Sequence, residues 1–248
     1  MDNKTKQKLT EKTGILNYDH MDIRKLVDER KWRTLEIYDR IGAVYDFVRN
    51  EIKFGYNRQD DIRASEVLAD GYGQCNTKGT LLMALFRAVG IPCRLHGFTI
   101  RKILQSGVVP PIVLPITPPN ILHSWVEIYY EGKWVNLEGF ILDDDYIQAL
   151  QMKYPDKTAL CTYGAGTDNL QNPSVKWSGT DTYIQKTGIN QDFGIFDSPD
   201  DFYKTHAQKL GPIRGFLYQN LIRHWMNRRV QKMRSGRSVF APNSKAMA

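Results

Sequence analysis

"DGYGQCNTKGTLLMALFRAVGIPCR", residues 70–94, sets a cysteine between a glycine-containing approach and a long apolar run. Leu81 to Phe86 are consecutive and apolar, which predicts a helix over 76–89 that is buried on nearly all sides. "GIP" at 90–92 ends it, with glycine at the stop and proline beyond. Gly79 is a small interior residue that would let another backbone come close. A structural cysteine belongs inside such a run, yet Cys75 stands at its doorstep. The first turn of a helix offers unpaired backbone N–H groups and the positive end of the dipole. Both favour a thiolate, and the same N–H groups can stabilise an oxyanion in acyl transfer. Cys93 opens an apolar strand and Cys161 lies in an irregular stretch, so neither has this address. The plainer reading of Cys75 is a small apolar residue packed at a helix start. The glycines at 71 and 73 weigh against it, because they predict close backbone approach where a substrate must reach the sulfur.

A base for this thiol is expected from a neighbouring strand. "CRLHGFTI" (93–100) and "ILHSWVEIYY" (121–130) read as strands; "EGK" is a hairpin turn, and "WVNLEGFIL" (134–142) is the return strand. His123 shares a face with residues 121, 125, 127 and 129. Glu138 follows fifteen residues later across the hairpin, where antiparallel pairing could bring its carboxylate to the imidazole. Asn136 shares the face of Glu138 and could orient the ring instead. Alone, His123 reads as a half-buried strand histidine and Glu138 as a surface charge. The order of thiol, imidazole and carboxylate on helix start, strand and next strand makes those readings less attractive together.

These blocks resemble the core of the transglutaminase-like superfamily, cysteine enzymes with a papain-like fold. "YGQC" before an apolar helix, "RAVGIPCR" behind it and "HSWVEIYYEGKWVNLEG" stand in the family's order, and "AVYDFVRNEIKFGY" and "ASEVLADGYGQC" resemble its lead-in. The resemblance covers roughly residues 40–142. It implies an α+β fold in which a buried helix carrying the cysteine packs on an antiparallel sheet. It also implies Cys75 as nucleophile, His123 as base and Glu138 as third member, with Gln74 and Asn136 as oxyanion or supporting residues. A thioester on Cys75 would pass to water or to an amine. The family most often has Asp where this chain has Glu138, so either the strand adjusts or Asn136 takes part.

The rest of the chain frames this core. Residues 1–33 are expected to form a loose polar leader and a short helix, 34–198 the catalytic domain, and 199–248 a basic helical extension. "TLEIYDRIGAVYDFVRNEIKF" (34–54) has helical spacing. Five prolines between Pro110 and Pro119 predict a semi-rigid insertion over 101–120 that shapes the acyl-donor cleft. Residues 143–198 carry no readable motif, and "LDDDY" (142–146) reads as a solvated turn. Three cysteines at unrelated spacings and five scattered histidines suggest neither a disulfide framework nor a metal site, and no cofactor is expected.

The net charge of +7 is uneven. Residues 1–201 hold 24 basic and all 27 acidic residues, net −3, whereas 202–248 hold ten Lys/Arg and no acid. The final helix, about 213–234, has Ile213, Phe216, Leu217, Leu221, Trp225 and Met226 along one side. Contact with nucleic acid or an anionic membrane is conceivable for it. Docking of its apolar side on the acidic body is the favoured expectation. A polar start and no apolar run of about 20 residues suggest a cytoplasmic protein. The functional expectation is a thiol-dependent acyl-transfer enzyme acting on a peptide or protein carboxamide. Hydrolysis is slightly favoured over transfer to an amine acceptor, and the alternative is a catalytically silent binding or scaffold module.

Overall fold

The computed structural model describes residues 1–207 and 211–236. In chain order these form α1 (Asn3–Lys8), α2 (Met21–Glu29), α3 (Ile37–Asp46), β1 (Lys53–Phe54), α4 (Ala64–Asp70), β2 (Tyr72–Gly73), α5 (Cys75–Ala88), β3 (Cys93–Arg101), β4 (Asn120–Tyr130) and β5 (Lys133–Leu137). There follow α6 (Asp144–Lys153), β6 (Leu160–Thr162), β7 (Ala165–Thr167), β8 (Ile189–Phe196), α7 (Pro199–Thr205), α8 (Pro212–Leu217) and α9 (Arg223–Arg234). The architecture is α+β, with α5 packed on a sheet of order β5-β4-β3-β8 whose neighbours are all antiparallel.

Helix α5 is buried along its whole length from Cys75 to Arg87, as its unbroken apolar run requires. Its buried lysine is satisfied inside. Lys78 Nζ donates to the carbonyls of Arg49 (3.1 Å) and Ile141 (3.0 Å). Gly79 is not a point of close backbone approach: a Cβ there would meet Phe140 at 3.5 Å and Val126 at 3.7 Å, ordinary contacts.

Several segments are more ordered than their sequence suggests. The leader forms α1, capped by the Asp2 carboxylate accepting from Thr5 N (2.9 Å), and the buried Leu9 accepts from Cys93 N through its carbonyl (3.2 Å). Residues 64–70, in the stretch that leads to Cys75, form α4, started by Glu66 accepting from Arg63 N (3.0 Å) and ended by Gly71 at φ 68°. The helical spacing over 34–54 yields α3, a π turn at Phe47–Glu51 and then β1, which pairs in parallel with β2.

The proline-rich insertion is fastened down. Leu104, Val108 and Val109 are buried, Lys102 N donates to Pro119 O (2.9 Å), and the carbonyls of Leu104 and Ser106 accept from Gly164 and Tyr163 (both 2.8 Å). "LDDDY" is no solvated turn. Asp143 is fully buried, caps α6 by accepting from Tyr146 N (3.3 Å), and holds Arg234 Nη2 (2.8 Å) and Phe54 N (2.9 Å). Asp144 and Asp145 follow in the first turn, where the helix dipole favours acids.

Among the described residues one hydrophobic cluster runs from Leu16 to Met233, so both flanking regions contribute to it. The final helix docks, but of the expected side only Met226 is used. Met226, Val230 and Met233 are buried, while Ile213, Phe216, Leu217, Leu221 and Trp225 are exposed. No helix among the described residues is long and apolar enough to cross a membrane.

Candidate active site

Two strand rules position the imidazole. In the β4–β5 ladder Val126 lies opposite Leu137, and Glu127 opposite Asn136. Continuing that register puts Glu138 beside Trp125, on the face shared by residues 123, 125 and 127. Glu138 sits one residue past the end of β5, where it is free to turn toward His123. His123 Nε2 donates to Glu138 Oε1 at 2.8 Å, and both side chains are wholly buried.

The carboxylate is held from its other side. Glu138 Oε2 accepts from the backbone N–H groups of Ile184 and Gln185, each at 2.9 Å. That segment reaches Glu138 because Gly139 lets it pass. A Cβ at 139 would lie 2.6 Å from Tyr45 Oη and 2.7 Å from Val175 Cα. The Thr182 carbonyl accepts from Glu138 N (3.0 Å), and Thr182 Oγ1 accepts from Gly139 N (3.2 Å). The extra methylene of glutamate relative to aspartate is thus accommodated without Asn136. Asn136 is directly opposite Glu127, four residues from His123, or about 13 Å along a strand. Its amide bonds instead to Asp181 and Tyr183, both at 3.0 Å.

His123 Nδ1 makes no hydrogen bond among the described residues. The Cys75 sulfur acts on the ring as a whole, favouring its protonation. Burial opposes a charge on this ring, but the Cys75 sulfur and the Glu138 carboxylate outweigh burial, and the imidazole pKa is pushed up to about 10. The sequence-selected thiol, imidazole and carboxylate therefore meet at one place.

The start of α5 is locked to β4 by the residue after the cysteine. Asn76 Nδ2 donates to Leu122 O (3.1 Å), and Asn76 Oδ1 accepts from Ser124 Oγ (2.9 Å). These contacts flank His123 on both sides, so Asn76 sets the separation of thiol and imidazole. Gln74 works on the opposite side. Its Oε1 accepts from Asn57 N (3.0 Å), and its Nε2 donates to Asp60 (2.8 Å), pinning the loop before α4 against the helix start. Thr77 Oγ1 accepts from Gln74 N (3.1 Å). The backbone N–H groups of residues 75–77 have no partner within the helix. Gly73 serves this packing rather than substrate approach, since a Cβ there would be 2.6 Å from Thr77 Oγ1.

Asn76, Gly139 and the amides of Ile184 and Gln185 are site residues that sequence reasoning missed. "LEG" gave a weak signal for Gly139; segment 182–185 gave none. The other cysteines stay apart. Cys93 is buried with its Sγ toward Met83 O (3.5 Å) and its thiol pushed up by burial, and Cys161 is exposed. The proline-rich insertion is tied to the loop after β1 through Gln105, which accepts from Tyr56 Oη.

No curated protein matches the chain. A solved structure described as "a Putative Cysteine Protease from Cytophaga hutchinsonii" is similar at 16% identity and a TM-score of 0.46, over 81% of this chain and 50% of that one. This chain thus spans half the length of that structure. Residues 25–139 match the family model described as the transglutaminase-like superfamily. That interval contains Cys75, His123 and Glu138, the three groups whose geometry has just been described. Over residues 25–139, somewhat less than half of its length, the chain is thus similar to the transglutaminase-like superfamily.

Proposed function

We propose that the chain is a thiol-dependent acyl-transfer enzyme acting on peptide or protein carboxamides. One observation carries this reading: a buried imidazole held between a restrained carboxylate and the sulfur at a helix start. His123 takes the Cys75 proton and the sulfur attacks the amide carbonyl, forming a C–S bond and an oxyanion. Unpaired N–H groups at the start of α5, that of Cys75 first, stabilise the oxyanion. As the C–N bond breaks, His123 returns its proton to the leaving amine or ammonia. A water then loses a proton to His123 and attacks the thioester; the C–S bond breaks and the thiol is restored. Glu138 holds the Nε2 proton, which leaves Nδ1 to carry the proton exchanged with the thiol. Gln74 and Asn76 fix the helix start. Hydrolysis is the favoured outcome, because water needs no second binding site, and an amine acceptor in place of water would make the same step a transamidation.

A glutamine-containing peptide library incubated with and without a primary amine distinguishes the two outcomes. Hydrolysis releases ammonia or a cleaved peptide, and transamidation adds the mass of the amine. Loss of product in Cys75→Ala supports the reading; an undiminished product excludes Cys75.

One observation favours a catalytically silent binding module instead: Cys75 is only 6% exposed. Iodoacetamide separates the readings at neutral pH. An enzyme labels Cys75 faster than the exposed Cys161, and a silent module labels Cys161 first.

A further inference from the structure

From Pro212 onward the chain carries two apolar rows at four-residue steps. Tyr218, Ile222, Met226 and Val230 form one; Ile213, Leu217, Leu221 and Trp225 form the other, with Phe216 beside it. In a regular α-helix a four-residue step overshoots a full turn by about 40°, so both rows would spiral around the axis. The π turn at Tyr218–Ile222, between α8 and α9, is wider and absorbs that drift. Each row therefore keeps one heading. The first faces the body: Met226 and Val230 are buried, and Tyr218 Oη donates to Asn57 O (3.2 Å). The second faces outward, with Ile213 76%, Phe216 65%, Leu221 62% and Trp225 46% exposed.

Charge decides what fits this face. Residues 212–234 include Arg214, Arg223, Arg228, Arg229, Lys232 and Arg234 and no acid. Arg229 and Arg234 are engaged with the body, through Gly107 O (2.8 Å) and Asp143 (2.8 Å). Arg228 and Lys232 are exposed, three and seven residues after Trp225, on the side of the outward row. A second copy of the helix would bring like charges together. A nucleic acid would engage the cations and leave the aliphatic row in water. An anionic bilayer takes both.

We propose that α8 and α9 seat this outward row on an anionic lipid surface. The helix lies in the interfacial plane, with Phe216, Leu221 and Trp225 at the headgroup–acyl boundary and Arg228 and Lys232 at lipid phosphates. The inward row stays on the body, so the surface carries the whole domain and not a detached tail.

The test is co-sedimentation of the full chain with vesicles. The chain should bind phosphatidylcholine vesicles that contain about a quarter phosphatidylglycerol, ignore pure phosphatidylcholine, and release in high salt. The double variant Leu221→Glu/Trp225→Glu should bind at least about tenfold more weakly, with an unchanged melting temperature because both side chains already face water. Arg228→Gln/Lys232→Gln should weaken binding comparably. The proposal is overturned if the chain stays in the supernatant with anionic vesicles at low salt, or if the apolar double variant sediments like the parent. It is equally overturned if the parent is a dimer that this double variant converts to monomer, or if the chain ignores vesicles yet binds a single-stranded oligonucleotide. None of these readouts depends on the chemistry proposed for Cys75.

Discussion

Replacing Glu138 by glutamine tests the core of the proposed mechanism with one nearly isosteric change. Its carboxylate accepts three hydrogen bonds, from His123 Nε2 on one oxygen and from the amides of Ile184 and Gln185 on the other. Glutamine has a single acceptor oxygen and an NH2 that can only donate. If the oxygen serves the two amides, the NH2 meets Nε2–H, donor to donor. The ring then relieves the conflict by moving its proton to Nδ1, the nitrogen left to exchange a proton with the thiol. A base becomes a donor. The structure also sets a scale. Raising the His123 pKa from 6.5 to about 10 corresponds to roughly 5 kcal/mol favouring the imidazolium. Cys75 and Glu138 share that stabilisation, and loss of one adjacent opposite charge is worth about 10- to 1000-fold in a protonation equilibrium. The readout is the iodoacetamide labelling rate of Cys75 near pH 6, resolved from Cys93 and Cys161 by peptide mass spectrometry. The expected result for Glu138→Gln is a drop within that range at Cys75 and no change at Cys161. Circular dichroism checks that the fold survives, and His123→Gln should show at least as large a drop. Parental labelling at pH 6 in a folded Glu138→Gln protein would refute the assignment of Glu138.

Four further outcomes follow from the geometry. Asn76→Ala removes the bonds to Leu122 O and Ser124 Oγ, so a loss of about 1–3 kcal/mol should appear in chemical denaturation, together with slower Cys75 labelling. Gly139→Ala drives a methyl against Tyr45 Oη and Val175 Cα, and should cut labelling more than Gly79→Ala does. Gly79→Ala finds only ordinary contacts and should stabilise α5 by roughly 0.5–1 kcal/mol, seen as a raised melting temperature. His96 supplies a pH test: burial disfavours its charge, but Glu127 (2.8 Å) and Asp192 (2.9 Å) win and raise its pKa above 6.5. Its stabilising contribution is complete below pH 6.5 and disappears as pH rises through the raised value. The parent should therefore lose more stability than His96→Gln between slightly acidic and alkaline pH in parallel thermal melts.

Much of the site was legible because its chemistry lies in short, patterned stretches. The unbroken run at 81–86 fixed the burial of α5, and two-residue alternation fixed the face shared by His123 and Glu138. What escaped depends on contacts between distant segments. The acids at 143–145 look like a solvated turn until Arg234, some ninety residues later, is seen against Asp143. The final helix shows an apolar side, but Trp225 and Met226 are consecutive residues about 100° apart, and which of them meets the body is decided by packing against distant segments. Segment 182–185 contributes backbone amides rather than side chains, so its composition carries no trace of its task.

That last arrangement has a consequence for how the protein is made. The chain emerges from the ribosome with thiol, imidazole and carboxylate all translated by residue 138. The amides that steady the carboxylate arrive almost fifty positions later. Until then Glu138 lacks its anchor and the cysteine has no disciplined partner. A nascent polypeptide that carries Cys75, His123 and Glu138 thus lacks both amides that fix the carboxylate until Gln185 has been added.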